Sequence, residues 1–154
     1  MQEIDLTKSK DVIGAYNSID FSYERKTYTD YGTQYCFNVL DGKIVAGYNI
    51  QLACFRHLRD LQRQGDEDFP YVYSIEAFNR FLKFLSLVPN VDDLSQKLEP
   101  MDWQYFIFAQ LFAWFDLDDV PRFSNIIISI ARSQGKTMIA GICLNFSYLI
   151  EIIG

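Results

Sequence analysis

The tightest constraint in this sequence lies at residues 126–137. Ile126, Ile127, Ile128 and Ile130 form an apolar, β-branched run broken only by Ser129. A polar turn follows, Ala131-Arg132-Ser133-Gln134, and then Gly135-Lys136-Thr137. Ile139, Ile142, Cys143, Phe146 and Ile150 then recur on one side of a helical pattern. A run of this kind predicts a buried strand, and the whole predicts strand, loop and helix. A loop placed there can turn its backbone N–H groups around a phosphate at the helix N-terminus. Ser133 and Gln134 supply loop amides, and Gly135 permits close approach of an anion to the backbone. Lys136 reaches the outer phosphates, and the Thr137 hydroxyl is the natural ligand for Mg2+. Arg132 can reach the terminal phosphate or the charge that develops on it. The general pattern for such loops is Gly-x-x-x-x-Gly-Lys-Ser/Thr, and here Ile130 stands where the first glycine belongs. The bland alternative is a chance Gly-Lys-Thr at a helix start, and the ordered flanks argue against it.

The rest of the composition sets the class. With 154 residues, 49% hydrophobic and 16% aromatic, the chain is globular and long enough for one real core. A formal net charge of −6 argues against a surface that is basic throughout, and leaves room only for a local basic patch. Cys36, Cys54 and Cys143 are widely spaced, with no Cys-x-x-Cys pair, and suit buried thiols in a reducing compartment. The first residues carry no charged-then-apolar leader, and no stretch is apolar enough for a membrane span. The sequence therefore reads as cytosolic.

Three regions are expected. Residues 1–28 are a weakly patterned arm in which Lys8 to Asp11 can open a short helix through Ile13 and Tyr16. Residues 29–97 are a helical region. Its first helix carries Tyr31, Tyr35, Val39 and Leu40 and stops at Asp41-Gly42-Lys43. The second runs from Gly47 or Tyr48 to Gln64 with Ile50, Cys54, Leu58 and Leu61 as its apolar stripe. Arg56, Arg59, Asp60 and Arg63 lie off that stripe, and the arginine row reads as a solvated face, with contact to DNA or a neighbouring subunit as the lesser alternative. Tyr71-Val72-Tyr73 is a brief extended piece, and Ser74 caps a third helix bearing Ile75, Phe78, Phe81, Leu82 and Leu85. A linker from residue 91 to 99 closes the region. Residues 98–154 hold a buried helix starting at Pro100, an acidic connector with Asp116, Asp118 and Asp119, and the strand–loop–helix unit. His57, the one histidine, reads as a packed side chain. The fold class expected is a mostly α-helical body leading into the first strand–loop–helix of an α/β nucleotide-binding sheet. That sheet is incomplete within the chain, because only residues 71–73 or the neighbourhood of Lys97-Leu98 offer the central strand a partner.

These residues resemble the N-terminal part of a large terminase subunit, the DNA-packaging ATPase of tailed bacteriophages. Such proteins use a variant loop, Ala-Arg-x-x-Gly-Lys-Thr/Ser, that lacks the first glycine, and residues 131–137 have that form. Upstream the family carries Leu-Glu-Pro-x-Trp-Gln-x-Phe. Leu98-Glu99-Pro100-Met101-Asp102-Trp103-Gln104-Tyr105-Phe106 resembles it, with one extra residue before Trp103. Phe112-Ala113-Trp114 and Arg122-Phe123 add weaker likenesses. The resemblance covers about residues 30–150. It implies ATP and Mg2+ as ligands, Gln104 at the adenine edge, Trp103 as packing that orients it, and Arg132 acting with Lys136 on the γ-phosphate. It further implies double-stranded DNA, a portal protein, a small terminase subunit and a ring of like subunits as partners, in the host cytoplasm and away from membranes.

Hydrolysis requires more than the loop. A second strand ending in an Asp for the metal, next to a Glu that orients water, is expected downstream and does not follow here; nor does a nuclease domain. The chain thus reads as the ATP-binding portion of a motor. Two alternatives stand beside it: a terminase-like interaction protein without turnover, and a helicase-like ATPase fragment.

Overall fold

The computed structural model describes residues 6, 10–90 and 93–150, together with the backbone of 151–153. The expected helix opening at Lys8 and Ser9, the linker residues Val91 and Asp92, and the side chains of Ile152 and Ile153 lie outside the described residues. Helices α1 (Val12–Asn17) and α2 (Ser22–Thr27) come first, within the arm whose pattern is weak in sequence. Then follow α3 (Tyr31–Leu40), α4 (Tyr48–Gln62), β1 (Tyr71–Tyr73), α5 (Ile75–Leu85), α6 (Asp102–Phe112), β2 (Trp114–Asp116) and α7 (Lys136–Ile153).

Local chemistry sets most of these boundaries. Asp30 caps α3 by accepting from the Thr33 amide at 2.9 Å, and Ser74 caps α5 by accepting from the Ala77 amide at 3.1 Å. Gly42, at φ +76°, supplies the left-handed turn that ends α3. Asp41 at the same helix end binds Arg25 at 2.9 Å and accepts from the Tyr16 hydroxyl at 2.8 Å. Arg25 also lies 4.1 Å from the Phe37 ring centre, so this cluster pins α1 and α2 to the end of α3. Burial and the Asp41 carboxylate push the Tyr16 phenol up to about 12.

α3 lies at the centre, packed against both α4 and α6. Cys36, Phe37, Val39 and Leu40 are buried there with Cys54 and Leu58 of α4 and Phe108 and Ala109 of α6. The closest approach is at Gly32. A Cβ on that residue would stand 2.5 Å from the Ala109 Cβ and 3.1 Å from the Tyr105 carbonyl oxygen. The helix-propensity gain from losing a glycine is at most about 1 kcal/mol, and overpacking costs about 1–3. Gly32→Val is therefore expected to destabilise the chain by about 2 kcal/mol in chemical denaturation. A variant as stable as the parent would show that α3 and α6 can separate freely.

α7 docks through a second aromatic cluster. Phe146 lies 5.0 Å from Phe81, 5.3 Å from Phe84 and 4.9 Å from Phe112, centre to centre. Ile139, Ile142 and Phe146 are buried as their spacing predicts, and Cys143 is half-buried. Ile150 departs from that expectation and is exposed, along with Leu144, Tyr148 and Leu149.

The sheet departs most from the sequence reading. Its two strands are antiparallel, with Tyr71 opposite Asp116, Val72 opposite Phe115 and Tyr73 opposite Trp114. Residues 126–130 carry no regular secondary structure and belong to no ladder, and Ile127 is 95% exposed. The expected central parallel strand is thus not formed among the described residues. Both proposed partners are occupied elsewhere: 71–73 by 114–116, and Lys97 by a bridge to Pro89. β-branched residues favour an extended backbone, but a strand also needs a neighbour. Two smaller corrections concern α6. Pro100 lies before the helix instead of in its first turn, since Met101 is the capping residue, and Trp114 opens β2 instead of ending the helix. Ile50, expected on the α4 stripe, is 43% exposed, and that stripe instead includes Phe55, His57 and Asp60.

Candidate functional site

The loop between the extended run and α7 has an unusual backbone. Ser133 is at φ +61° and Gly135 at φ +77°, while Arg132 before them and Gln134 between them are not at positive φ. Alternation of this kind turns neighbouring N–H groups toward one side and makes a concave anion cradle. Glycine adopts such angles at no steric cost and serine at some cost, as Lys10 and Asp119 also do elsewhere in the chain. α7 begins directly after Gly135, whose carbonyl accepts the Ile139 amide at 2.9 Å. The first-turn amides of α7 therefore have no acceptor within their own helix and open onto the same side as the loop.

Lys136 folds back over the turn and donates from Nζ to the Ile130 carbonyl oxygen at 2.9 Å. This closes the loop across its two ends. Arg132, Ser133, Gln134, Lys136 and Thr137 are all exposed. The Thr137 hydroxyl is available at the helix start, as the sequence reading requires of a metal ligand. No group of three or more His, Cys, Asp or Glu side chains able to hold a metal occurs among the described residues. The donor set therefore fits Mg2+ only as an ion shared with phosphate oxygens and water, with one hydroxyl from the chain.

Of the two upstream residues, the structure brings one to the loop. Gln104 is 3% exposed, and its Nε2 lies 3.2 Å from where a Cβ on Gly135 would be. Its Oε1 accepts the Met101 amide at 2.9 Å. Trp103 is half-buried against the core and donates from Nε1 to the Met101 Sδ at 3.3 Å.

Other candidates resolve into structural roles. Asp116 Oδ1 accepts the amides of Asp118 and Val120, each at 2.9 Å, so the acidic connector is a turn that caps itself. His57 is wholly buried, with Nε2 3.0 Å from Thr33 Oγ1 and Nδ1 2.9 Å from Gln110 Nε2. The Gln110 amide can only donate, so Nδ1 accepts and Nε2–H donates to Thr33. Burial, and then the charges of Arg56 and Arg122, lower its pKa to about 3. Asp60, placed off the apolar stripe by its spacing, is buried and binds Arg63 at 3.0 Å and Arg122 at 2.8 Å. The Gln104–Gly135 contact and this ion cluster escape the sequence reading, because each joins segments far apart in the chain.

Two surface clefts lie away from the loop. One, of about 550 Å3, runs along the outer face of α5 past Glu76, Arg80 and Lys83. The other, of about 510 Å3, lies between α1 and the turn after α3. No helix among the described residues is long and apolar enough to cross a membrane. Comparison with protein-family models, curated proteins and solved structures finds no match to this chain.

Proposed function

We propose that residues 131–137 cradle the phosphates of ATP, and that the chain is the nucleotide-binding portion of a DNA-packaging ATPase of the terminase type. The observation that carries the first half is the strained Ser133 beside Gly135, set at the start of an 18-residue helix. The second half rests on Ala131-Arg132-x-x-Gly135-Lys136-Thr137 and on Leu98-Glu99-Pro100 with Trp103-Gln104.

In this reading the loop and first-turn amides hold the β- and γ-phosphates. Lys136 leaves the Ile130 carbonyl and takes a phosphate oxygen, exchanging a neutral acceptor for a charged one. The Thr137 hydroxyl holds Mg2+, which neutralises charge between phosphates when bound. Arg132 stands on the exposed side of the turn, where it can meet the terminal phosphate. The chain's own residues here bind and orient; a carboxylate that would position the attacking water has no assigned place beside the loop. By the same resemblance, double-stranded DNA, a portal protein, a small terminase subunit and like subunits in a ring are the proposed partners. A second reading, an ATP-holding interaction protein without turnover, fits the same cradle.

The test is magnesium-ATP binding by calorimetry, with Lys136→Ala as the comparison. Charge-assisted hydrogen bonds are worth about 1.5–3 kcal/mol each, so affinity is expected to fall at least ~tenfold. The melting temperature should hold, because Lys136 is exposed and makes one hydrogen bond. No binding by the parent chain, or equal binding by both, would sink the proposal. Turnover by the bound chain would exclude the second reading.

A further inference from the structure

We infer that Gln104 is a positioning residue that holds the phosphate loop in its strained shape, so that it governs triphosphate binding whatever base is attached. This deepens the phosphate-cradle reading and rests on it. Three observations combine. First, the side chain is buried, so it is not free to swing toward a ligand. Second, its orientation is fixed by chemistry. The Met101 amide is a donor and must face the carbonyl end of Gln104, 2.9 Å away. The NH2 end therefore faces the other way, and it lies against Gly135. Third, Gly135 is one of the two left-handed residues of the loop. A side chain there would collide with the Gln104 amide nitrogen at 3.2 Å and the Met138 methyl at 3.3 Å. The loop is seated on Gln104, and Gln104 is seated on the start of α6.

One side chain thus ties two helix starts together. At α6 it satisfies an orphan amide, in the manner of a capping box. At α7 it backs the residue whose backbone angle shapes the cradle. The Met101 amide already takes one of the two lone pairs of the carbonyl oxygen, and the NH2 end lies against Gly135.

The experiment uses the full chain with Gln104→Glu and Gln104→Met. Glutamate at this position keeps the oxygen that accepts the Met101 amide but loses the NH2 group toward Gly135. Methionine loses both while keeping an unbranched, flexible side chain. Hydrogen exchange is measured first, without nucleotide. Both variants should speed exchange of the amides at 131–137 severalfold more than that of the α7 amides past Phe146, as loss of the Gln104 contact beneath Gly135 predicts. That difference between loop and helix is what a merely global loss of stability, which the buried carboxyl of Gln104→Glu also brings, would not produce. Affinities for ATP, GTP and inorganic tripolyphosphate, each with magnesium, should then fall by the same factor in each variant.

A loss confined to ATP would overturn the inference and return Gln104 to the adenine edge. Parent-like exchange in the loop of both variants would overturn it too. If the parent chain binds no triphosphate at all, the phosphate reading fails, and the exchange measurement still decides whether Gln104 holds the loop.

Discussion

Replacing Asp60 by alanine is expected to cost about 3–5 kcal/mol, the usual result of stripping one partner from a buried ion cluster. The carboxylate is 2% exposed and has no water to fall back on. Oδ1 accepts from Arg63 Nε at 3.1 Å and lies 3.0 Å from its NH2 group, while Oδ2 accepts from Arg122 at 2.8 Å. Arg122 is itself only 12% exposed, boxed between the rings of Phe69 at 4.7 Å, Phe123 at 4.9 Å and Trp114 at 5.3 Å. Removing the carboxylate leaves that guanidinium buried beside a second one. Arg122→Met should cost less, about 2 kcal/mol, because Arg63 still neutralises Asp60 and methionine still packs against the rings. Denaturant midpoints at unchanged slope measure both. Domains of this size hold about 5–15 kcal/mol in all, so the Asp60 variant should be near its limit at physiological temperature. An Asp60→Ala midpoint close to the parent's, or a larger loss in Arg122→Met, would show that the cluster contributes little.

That cluster marks where sequence reading stops. Asp60 and Arg63 sit one turn apart on α4, and a charged row on a helix normally faces water. What buries Asp60 is Arg122, 62 residues further on, and no periodicity within α4 announces it. Helices whose ends are set by neighbouring residues were legible. Ser74 caps α5, Gly42 ends α3, and Phe78, Phe81 and Leu85 bury as their spacing demands. His57 was legible as a packed side chain, though Thr33 and Gln110, which hold it, come from two other helices. The run 126–130 is the opposite case. Its residues favour an extended backbone, but pairing is a property of a neighbour, and β1 takes β2 instead. At the loop, glycine, lysine and threonine stand in the order a cradle needs. The left-handed Ser133 and the Gln104 support were not visible, since one is a backbone angle and the other a contact between α6 and the start of α7.

Between pH 7 and pH 5 the chain is expected to lose about 2 kcal/mol of stability, and His57 is the cause. In the fold this ring is neutral. Its nitrogens are spent on Thr33 and Gln110, and the rings of Tyr73, Phe106 and Trp114 surround it at 5.3–5.9 Å. Burial first, and Arg56 and Arg122 after it, hold its pKa at about 3 against an unfolded value near 6.5. Above pH 6.5 neither state carries the proton, and the full stability is present. Below it the unfolded chain takes up a proton that the folded chain refuses, so stability falls by about 1.4 kcal/mol per pH unit. The loss continues until the folded ring itself protonates near pH 3. The chain has a single histidine, and carboxylates titrate mainly below pH 5, so the interval from 7 to 5 isolates this group. Denaturant unfolding at each pH gives the slope. His57→Gln will have a different baseline stability, but its curve should be flat across that interval. Ring-proton chemical shifts supply a second measurement on the parent chain, and they should keep their neutral values down to about pH 4. A parent chain equally stable at pH 7 and 5, or a ring that titrates near 6.5 in the folded protein, would mean that water reaches His57 and that the α3–α4–α6 core is looser than its packing indicates.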